Sequence, residues 1–260
     1  PILSLSETGI LNRGDFMDTK KLQISLLLPV MEFMEKHGSL LAPFTRPLAN
    51  LPLIAEHMPV LLRAYLGATA FEIHDVDLKR GRIGIGGVEE IMAGAKIIEL
   101  LHTTLGEKLA EEEKQATLYA FGEKLCRWEF SESLKHNRWV PEVLVPLIVN
   151  KTILDDIESD PQLARFMEVT MNMVSKLITD EGGWGHLDFQ FSAKPMRVTL
   201  TNSQEAHWFR GSQKPVCHFY AGIIAGYTGQ VSGEKLLVKE ISCAATGAEK
   251  CTFEVYRQQG

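Results

Sequence analysis

The sequence predicts an α+β fold: an antiparallel sheet with helices packed on it, preceded by a mainly helical N-terminal region. Two observations carry this. Apolar residues recur at helical spacing through much of the first 180 residues, most plainly in DPQLARFMEVTMNMVSKLI. After Gly182-Gly183 the period changes to strand-like alternation in WGHLDFQFSA, MRVTLTNS, KLLVKEIS and CTFEVYR. A third observation narrows the class: no βαβ repeat is present, so a parallel nucleotide-binding sheet is not expected.

In chain order, residues 1–18 read as an arm. Residues 20–37 read as a helix with a break or kink at Pro29 and a C-cap at Gly38. Residues 39–60 hold Pro43, Pro47, Pro52 and Pro59 and are expected to be irregular. MPVLLRAYLG is a short helix closed by Gly67. FEIHDVDLKRGRIGI alternates about Lys79-Arg80-Gly81 and predicts a β-hairpin ended by Gly86-Gly87. VEEIMAGAKIIELLHTTLG predicts an amphipathic helix with Ile91, Ala95, Ile98 and Leu105 on one face. A further helix follows, whose acidic start (Glu111, Glu112, Glu113) suits the positive end of the helix dipole. WVPEVLVPLIVNKTI reads as buried connecting chain, or as a docking or membrane-facing segment. In the next helix Asp160 is the cap, Pro161 the first residue, and Leu163, Phe166, Met167, Thr170, Met173, Val174 and Leu177 the apolar stripe. HFYAGIIAGYTGQVSG carries Gly222 and Gly226 four apart, which implies close packing on that face. The expected division is residues 1–68, 69–180 and 181–260.

Composition sets the limits on function. The chain has 260 residues, 45% hydrophobic and 23% charged, with a formal net charge of -6. That is an ordinary globular composition, with no basic excess for nucleic acid. No signal peptide or long apolar span is read from it, so a cytoplasmic chain is expected, with Pro-rich apolar segments that could lie against a membrane. GIGGVEE fails as a dinucleotide fingerprint because Glu89 stands where the last glycine belongs. No phosphate-binding loop, nucleophile elbow or HExxH is present, and no catalytic residue is assigned.

Three of the four cysteines fall near the C-terminus: Cys217, Cys243 and Cys251, with Glu240 beside them. Three thiolates and a carboxylate make a closed four-ligand set of the kind that suits structural zinc. For Glu240 and Cys243 to reach one metal, the strand must bulge at Ile241-Ser242, since residues three apart otherwise face opposite sides. Thr246-Gly247-Ala248 supplies a turn that returns Cys251. The spacing alone leaves zinc, buried free thiols and redox chemistry all open. Cys126, at helical spacing, reads as a small buried hydrophobe. Trp184, Phe189, Phe191, Trp208 and Phe219 are candidate pocket residues, although core packing explains them equally. His186, His207 and His218 are candidate ligand contacts or hydrogen-bonded structural histidines.

NSQEA followed by PVCHFYAGIIAGYTGQVSGEKLLVKEISCAATGAEKCTFEV resembles the four-vinyl reductase domain family. The earlier stretch from Phe71 is similar to the segment preceding this domain in sensors of aromatic pollutants. The resemblance covers about residues 70–257. It implies zinc held by Cys217, Glu240, Cys243 and Cys251, and a fold distantly similar to a trafficking-complex unit that dimerises and holds hydrophobic ligands. Leu200 stands where the phenol-sensing branch carries an aromatic anchor, so a phenol ligand is not implied. The reading is of a stand-alone homodimer, zinc-stabilised, that binds a hydrophobic molecule such as a tetrapyrrole in pigment handling or photosystem assembly. Photosystem assembly proteins are the implied partners. Two alternatives stand beside it: a vinyl reductase of chlorophyll biosynthesis, and a ligand-free interaction adaptor.

Overall fold

The computed structural model describes residues 13–135, 138–150 and 153–258. Most of the expected N-terminal arm therefore lies outside the described residues. From Arg13 the chain is helical, and α1 (Arg13–Ala49) runs unbroken for 37 residues through Pro29, Pro43 and Pro47. This corrects the expected break at Pro29, the cap at Gly38 and the irregular chain to Ala49. The physical reason lies in where the prolines face. All three are exposed, so the carbonyl each one frees meets water. On the opposite face Ile24, Leu28 and Ala49 are buried, and Glu32 and Glu35 hold Arg165 at 2.9 and 2.5 Å. Tertiary packing outweighs the local penalty.

Short helices α2 (Pro52–His57), α3 (Val60–Tyr65) and α4 (Ala70–Ile73) follow. Thr69 and Glu72 form a reciprocal capping box on α4. The expected hairpin therefore starts later than the alternation suggested, with Phe71 and Ile73 in α4. β1 (Asp75–Asp77) pairs with β2 (Arg82–Ile85), and Gly86-Gly87 is a second turn leading to β3 (Val88–Glu90). The expected helix from Val88 begins only at α5 (Ile97–Gly106). Ile91 is 88% exposed, whereas Ile98 is buried as expected. The strand won at Val88–Glu90 because β2 offers it a hydrogen-bonding edge.

The long α6 (Glu111–Lys135), α7 (Val145–Ile148) and α8 (Ile153–Ser159) lead to α9 (Pro161–Ser175). The Asp160 carboxylate accepts from the Gln162 and Leu163 N–H groups and caps α9 as expected. A π-turn at Lys176–Asp180 ends it. Then come β4 (His186–Gln190), β5 (Met196–Thr201), α10 (Gln204–Trp208), α11 (His218–Ser232), β6 (Leu236–Ser242) and β7 (Cys251–Arg257). The four strands form an antiparallel sheet in the order β4-β5-β7-β6. Its inner face, with Leu187, Phe189, Val198, Leu200, Val238 and Phe253, joins Phe166 and Met171 of α9 and Tyr220 and Ile224 of α11 in one buried cluster. That cluster also takes Ile24 from α1 and Cys126 from α6, so it draws on all three stretches of the sequence.

α6 and α11 cross at backbone contact. A Cβ on Gly222 would lie 2.0 Å from the Tyr119 carbonyl oxygen, and one on Gly122 would lie 2.2 Å from the Phe219 carbonyl oxygen. A Cβ on Gly226 would lie 2.7 Å from that of Cys126. The close packing expected of Gly222 and Gly226 is thus against α6, and Cys126 is a buried packing residue. Among the described residues no helix is long and apolar enough to cross a membrane.

Candidate metal centre and apolar chamber

Four elements deliver the four candidate ligands. Cys217 is the N-cap of α11. Glu240 sits on the buried face of β6, and the register between β6 and β7 slips between Glu240 and Ser242. This bulge at Ile241 turns the chain so that Cys243 reaches the same side as Glu240. A turn at Ala244–Thr246 and Gly247, at φ 100°, brings Cys251 back as the first residue of β7. All three cysteines are fully buried.

The donor atoms of Cys217, Glu240, Cys243 and Cys251 lie within 4.8 Å of one another. The sulfur–sulfur separations are 3.4 Å for Cys217–Cys251, 3.9 Å for Cys217–Cys243 and 4.0 Å for Cys243–Cys251. A tetrahedron with Zn–S bonds of about 2.3 Å has edges of about 3.8 Å. One carboxylate oxygen, Glu240 Oε2, accepts from the Cys217 N–H at 2.9 Å. The other, Oε1, is buried without a hydrogen-bond partner. An orphaned carboxylate oxygen among three converging sulfurs is costly unless something positive sits there. These residues could hold a metal, and with four protein ligands they leave no open position on it.

The electrostatics point the same way. Hydrogen bonds from Cys217 and Cys251 push the Cys243 thiol far below its ordinary value, so it is the preferred thiolate. The same contacts, with burial, push Cys217 up. Burial and the neighbouring Cys243 raise the Glu240 carboxyl to about 8. The Ala244 N–H donates to Cys251 Sγ at 3.3 Å, and Ser203 Oγ lies 3.4 Å from Cys217 Sγ.

Behind the cluster stands a group to which the sequence reading gave no role. The carboxylate of Glu205, fully buried, accepts from the Phe219 and Tyr220 N–H groups at 3.1 and 3.0 Å, at the first turn of α11. His102 Nε2 lies 2.6 Å from Glu205 Oε1. Glu205 thus satisfies the donors of the helix that carries Cys217. The sequence signal was there, an acidic residue inside the NSQEA signature, but nothing local tied it to a helix start fourteen residues later.

The expected pocket residues do not meet around one cavity. Trp184 packs on Phe219, which stacks on Phe121, in a small cluster with Ile98 and Leu118. Phe189 and Phe191 stack on each other in the main core, and Leu200 is buried there. His207 and Trp208 are exposed and contact each other. His186 lies at the surface near Asp180. None of these eight borders the apolar chamber that the structure contains, because those at the sheet are consumed by packing and the others face outward.

That chamber lies between α6, α7, α9 and β3. Leu61, Phe130, Trp139, Met171, Val174 and Tyr227 are among its walls. Its enclosed part measures about 70 Å³, and with its open mouth the cleft reaches about 760 Å³. Two carboxyls border it, Glu129 and Glu90. Burial, and then the Glu90 charge, raise the Glu129 carboxyl to about 7. Glu90 is engaged by His74 Nε2 at 2.9 Å; no described residue hydrogen-bonds to Glu129. The expected apolar stripe of α9 thus serves both purposes: Met167 is core, while Thr170 and Val174 line the chamber.

Residues 196–257 match the family model of the vinyl-4-reductase domain. Two uncharacterised proteins of Methanocaldococcus jannaschii are similar to this chain: one is 33% identical over 64 residues, 25% of this chain, and the other 40% identical over 43 residues, 16% of it. The matched stretches span 40% and 26% of the length of those relatives. Among solved structures, the phenol-responsive sensory domain of the transcription activator PoxR, with phenol, is similar at 18% identity and a TM-score of 0.49, over 72% of this chain and 86% of that one. A vinyl-4-reductase family protein from Methanocaldococcus jannaschii is similar at 17% identity and a TM-score of 0.37, over 65% of this chain and 85% of that one.

Proposed function

With residues 196–257 a vinyl-4-reductase domain, we propose that this chain is a small-molecule-binding protein whose metal is structural. Zinc held by Cys217, Glu240, Cys243 and Cys251 pins the β6–β7 hairpin to the start of α11. The ligand enters the chamber between α6 and α9. In the expected three-part division, the chamber draws on all three parts, with Leu61 from the first, Glu129 and Met171 from the second and Tyr227 from the third.

The observation that carries this reading is an apolar chamber bordered by a carboxyl that no described residue engages. Site chemistry then sets the class of ligand. The enclosed part has room for roughly one ring, against the ~300–1,000 Å³ of sites that take drug-sized ligands. A tetrapyrrole is therefore left out of the proposal; the gap between α6 and α9 would have to open for a macrocycle. Glu129 beside Glu90 favours a donor with positive charge, so the proposed ligand is a compact apolar amine. When bound, zinc would supply coordination and charge neutralisation to the hairpin, and the four-ligand set leaves no site for a substrate on it. That favours binding over the vinyl reductase alternative, which turnover of a divinyl substrate would establish.

Calorimetric titration with benzylamine, benzyl alcohol and toluene tests this. Benzylamine is expected to bind tightest, by about tenfold over toluene, or ~1.4 kcal/mol. Its affinity is expected to rise from pH 6 to pH 8 as Glu129 ionises around 7. Glu129→Leu is expected to abolish the preference. Absence of binding by all three probes, or equal affinities unaffected by Glu129→Leu, would overturn the proposal.

A further inference from the structure

α1 has a second face. Leu22, Leu26, Val30, Phe33, Leu40, Phe44 and Leu48 are 54–76% exposed, and none of the described chain covers them. At 100° per residue, these seven and His37 fall within an arc of about 80°, on a ridge about 39 Å long. The His37 ring lies 4.9 Å from that of Phe33, which continues the ridge across its middle.

The ridge is symmetric about position 35. Leu22 mirrors Leu48, Leu26 mirrors Phe44, Val30 mirrors Leu40, and Phe33 mirrors His37. A self-complementary patch is what a two-fold interface requires, since each residue must meet its mirror on the other copy. The exposed area of these side chains is roughly 800 Å², the same order as each partner gives to an interface of standard size. The charges nearest the centre are already engaged: Glu32 and Glu35 both bind Arg165 of the same chain. Like-charge repulsion across the axis is thereby reduced.

We infer that α1 is a self-association face, on which two copies pack antiparallel about a two-fold axis at residue 35. The inference is independent of the ligand reading and of the metal. It commits to a register: position 30 of one copy meets position 40 of the other.

Light scattering of the full chain, with cross-linking, tests it. The wild type is expected to have twice the chain mass. Leu26→Glu with Phe44→Glu is expected to weaken the dimer roughly 100-fold or more, with an unchanged helical spectrum. A mixture of Val30→Cys and Leu40→Cys chains is expected to cross-link with a short bis-maleimide, while either alone does not, because like positions lie about 15 Å apart along the axis. The native cysteines are buried and stay silent. A monomeric wild type would overturn the inference, including a monomer that uses this ridge to bind lipid vesicles. So would homo-cross-linking of Val30→Cys alone as efficient as that of the mixture, which marks a parallel pair. If the double glutamate variant fails to fold, the cross-linking register still decides.

Discussion

Glu129 is the residue whose proton reports the chamber. In the fold its carboxyl holds a proton to about pH 7, against 4.5 in its ordinary state. Between those values the folded chain binds a proton that the unfolded chain has lost, so stability falls as pH rises through that window and the loss is complete above it. The shift corresponds to on the order of 2–3 kcal/mol. Glu129→Gln is therefore expected to be more stable than wild type at pH 8, by about 2 kcal/mol, and to match it near pH 4.5. Urea denaturation at both pH values checks this; an equal difference at the two would sink it. Cys243→Ser belongs to the same scale. It leaves two sulfurs and a carboxylate around the metal, and is expected to lose the zinc and lower the melting temperature by about 10 °C or more. A variant that keeps full zinc content and melts with the wild type contradicts the assignment.

At the scale of elements, the α6–α11 crossing is set by glycine. Gly222→Ala would put a methyl 2.0 Å from the Tyr119 carbonyl oxygen. Neither backbone can give way cheaply, so about 2–4 kcal/mol of destabilisation is expected, despite alanine's better helix propensity. A thermal melt at or above that of the wild type would show that the helices can separate without cost. Much of this level was legible in the sequence. The bulge at Ile241 followed from the chemistry of Glu240 and Cys243 sharing a ligand set, and Asp160 with Pro161 marked the start of α9 in local terms. What escaped was decided by partners distant in sequence. Pro29, Pro43 and Pro47 break helices by local rule, but here they face water while Ile24 and Leu28 anchor the other side. Val88–Glu90 has helical spacing on paper, yet the edge of β2 recruits it as a strand. Gly122, the other half of the crossing, carried no signal until its partner was known.

For the whole molecule, the metal cluster and the chamber were unequally visible. Four coordinating side chains declare their chemistry by type, and Cys217, Glu240, Cys243 and Cys251 do converge. A cavity declares nothing by type: aromatics such as Phe189 and Phe219 fill space, and the space left over is bounded by Val174, Ile178 and Tyr227 from separate elements. The two features are joined through α11, which starts at Cys217 and brings Tyr227 to the chamber wall. Metal loss is therefore expected to loosen the chamber, lowering benzylamine affinity in chelator-treated protein relative to holo-protein in the same titration. The central claim, a closed metal cage that fixes this helix, is met most directly by X-ray absorption at the zinc edge on the purified chain. The account expects one zinc per chain, with three sulfurs at about 2.3 Å and one oxygen at about 2.0–2.2 Å. A metal-free chain of full stability, or a zinc shell with fewer than three sulfurs, would contradict it.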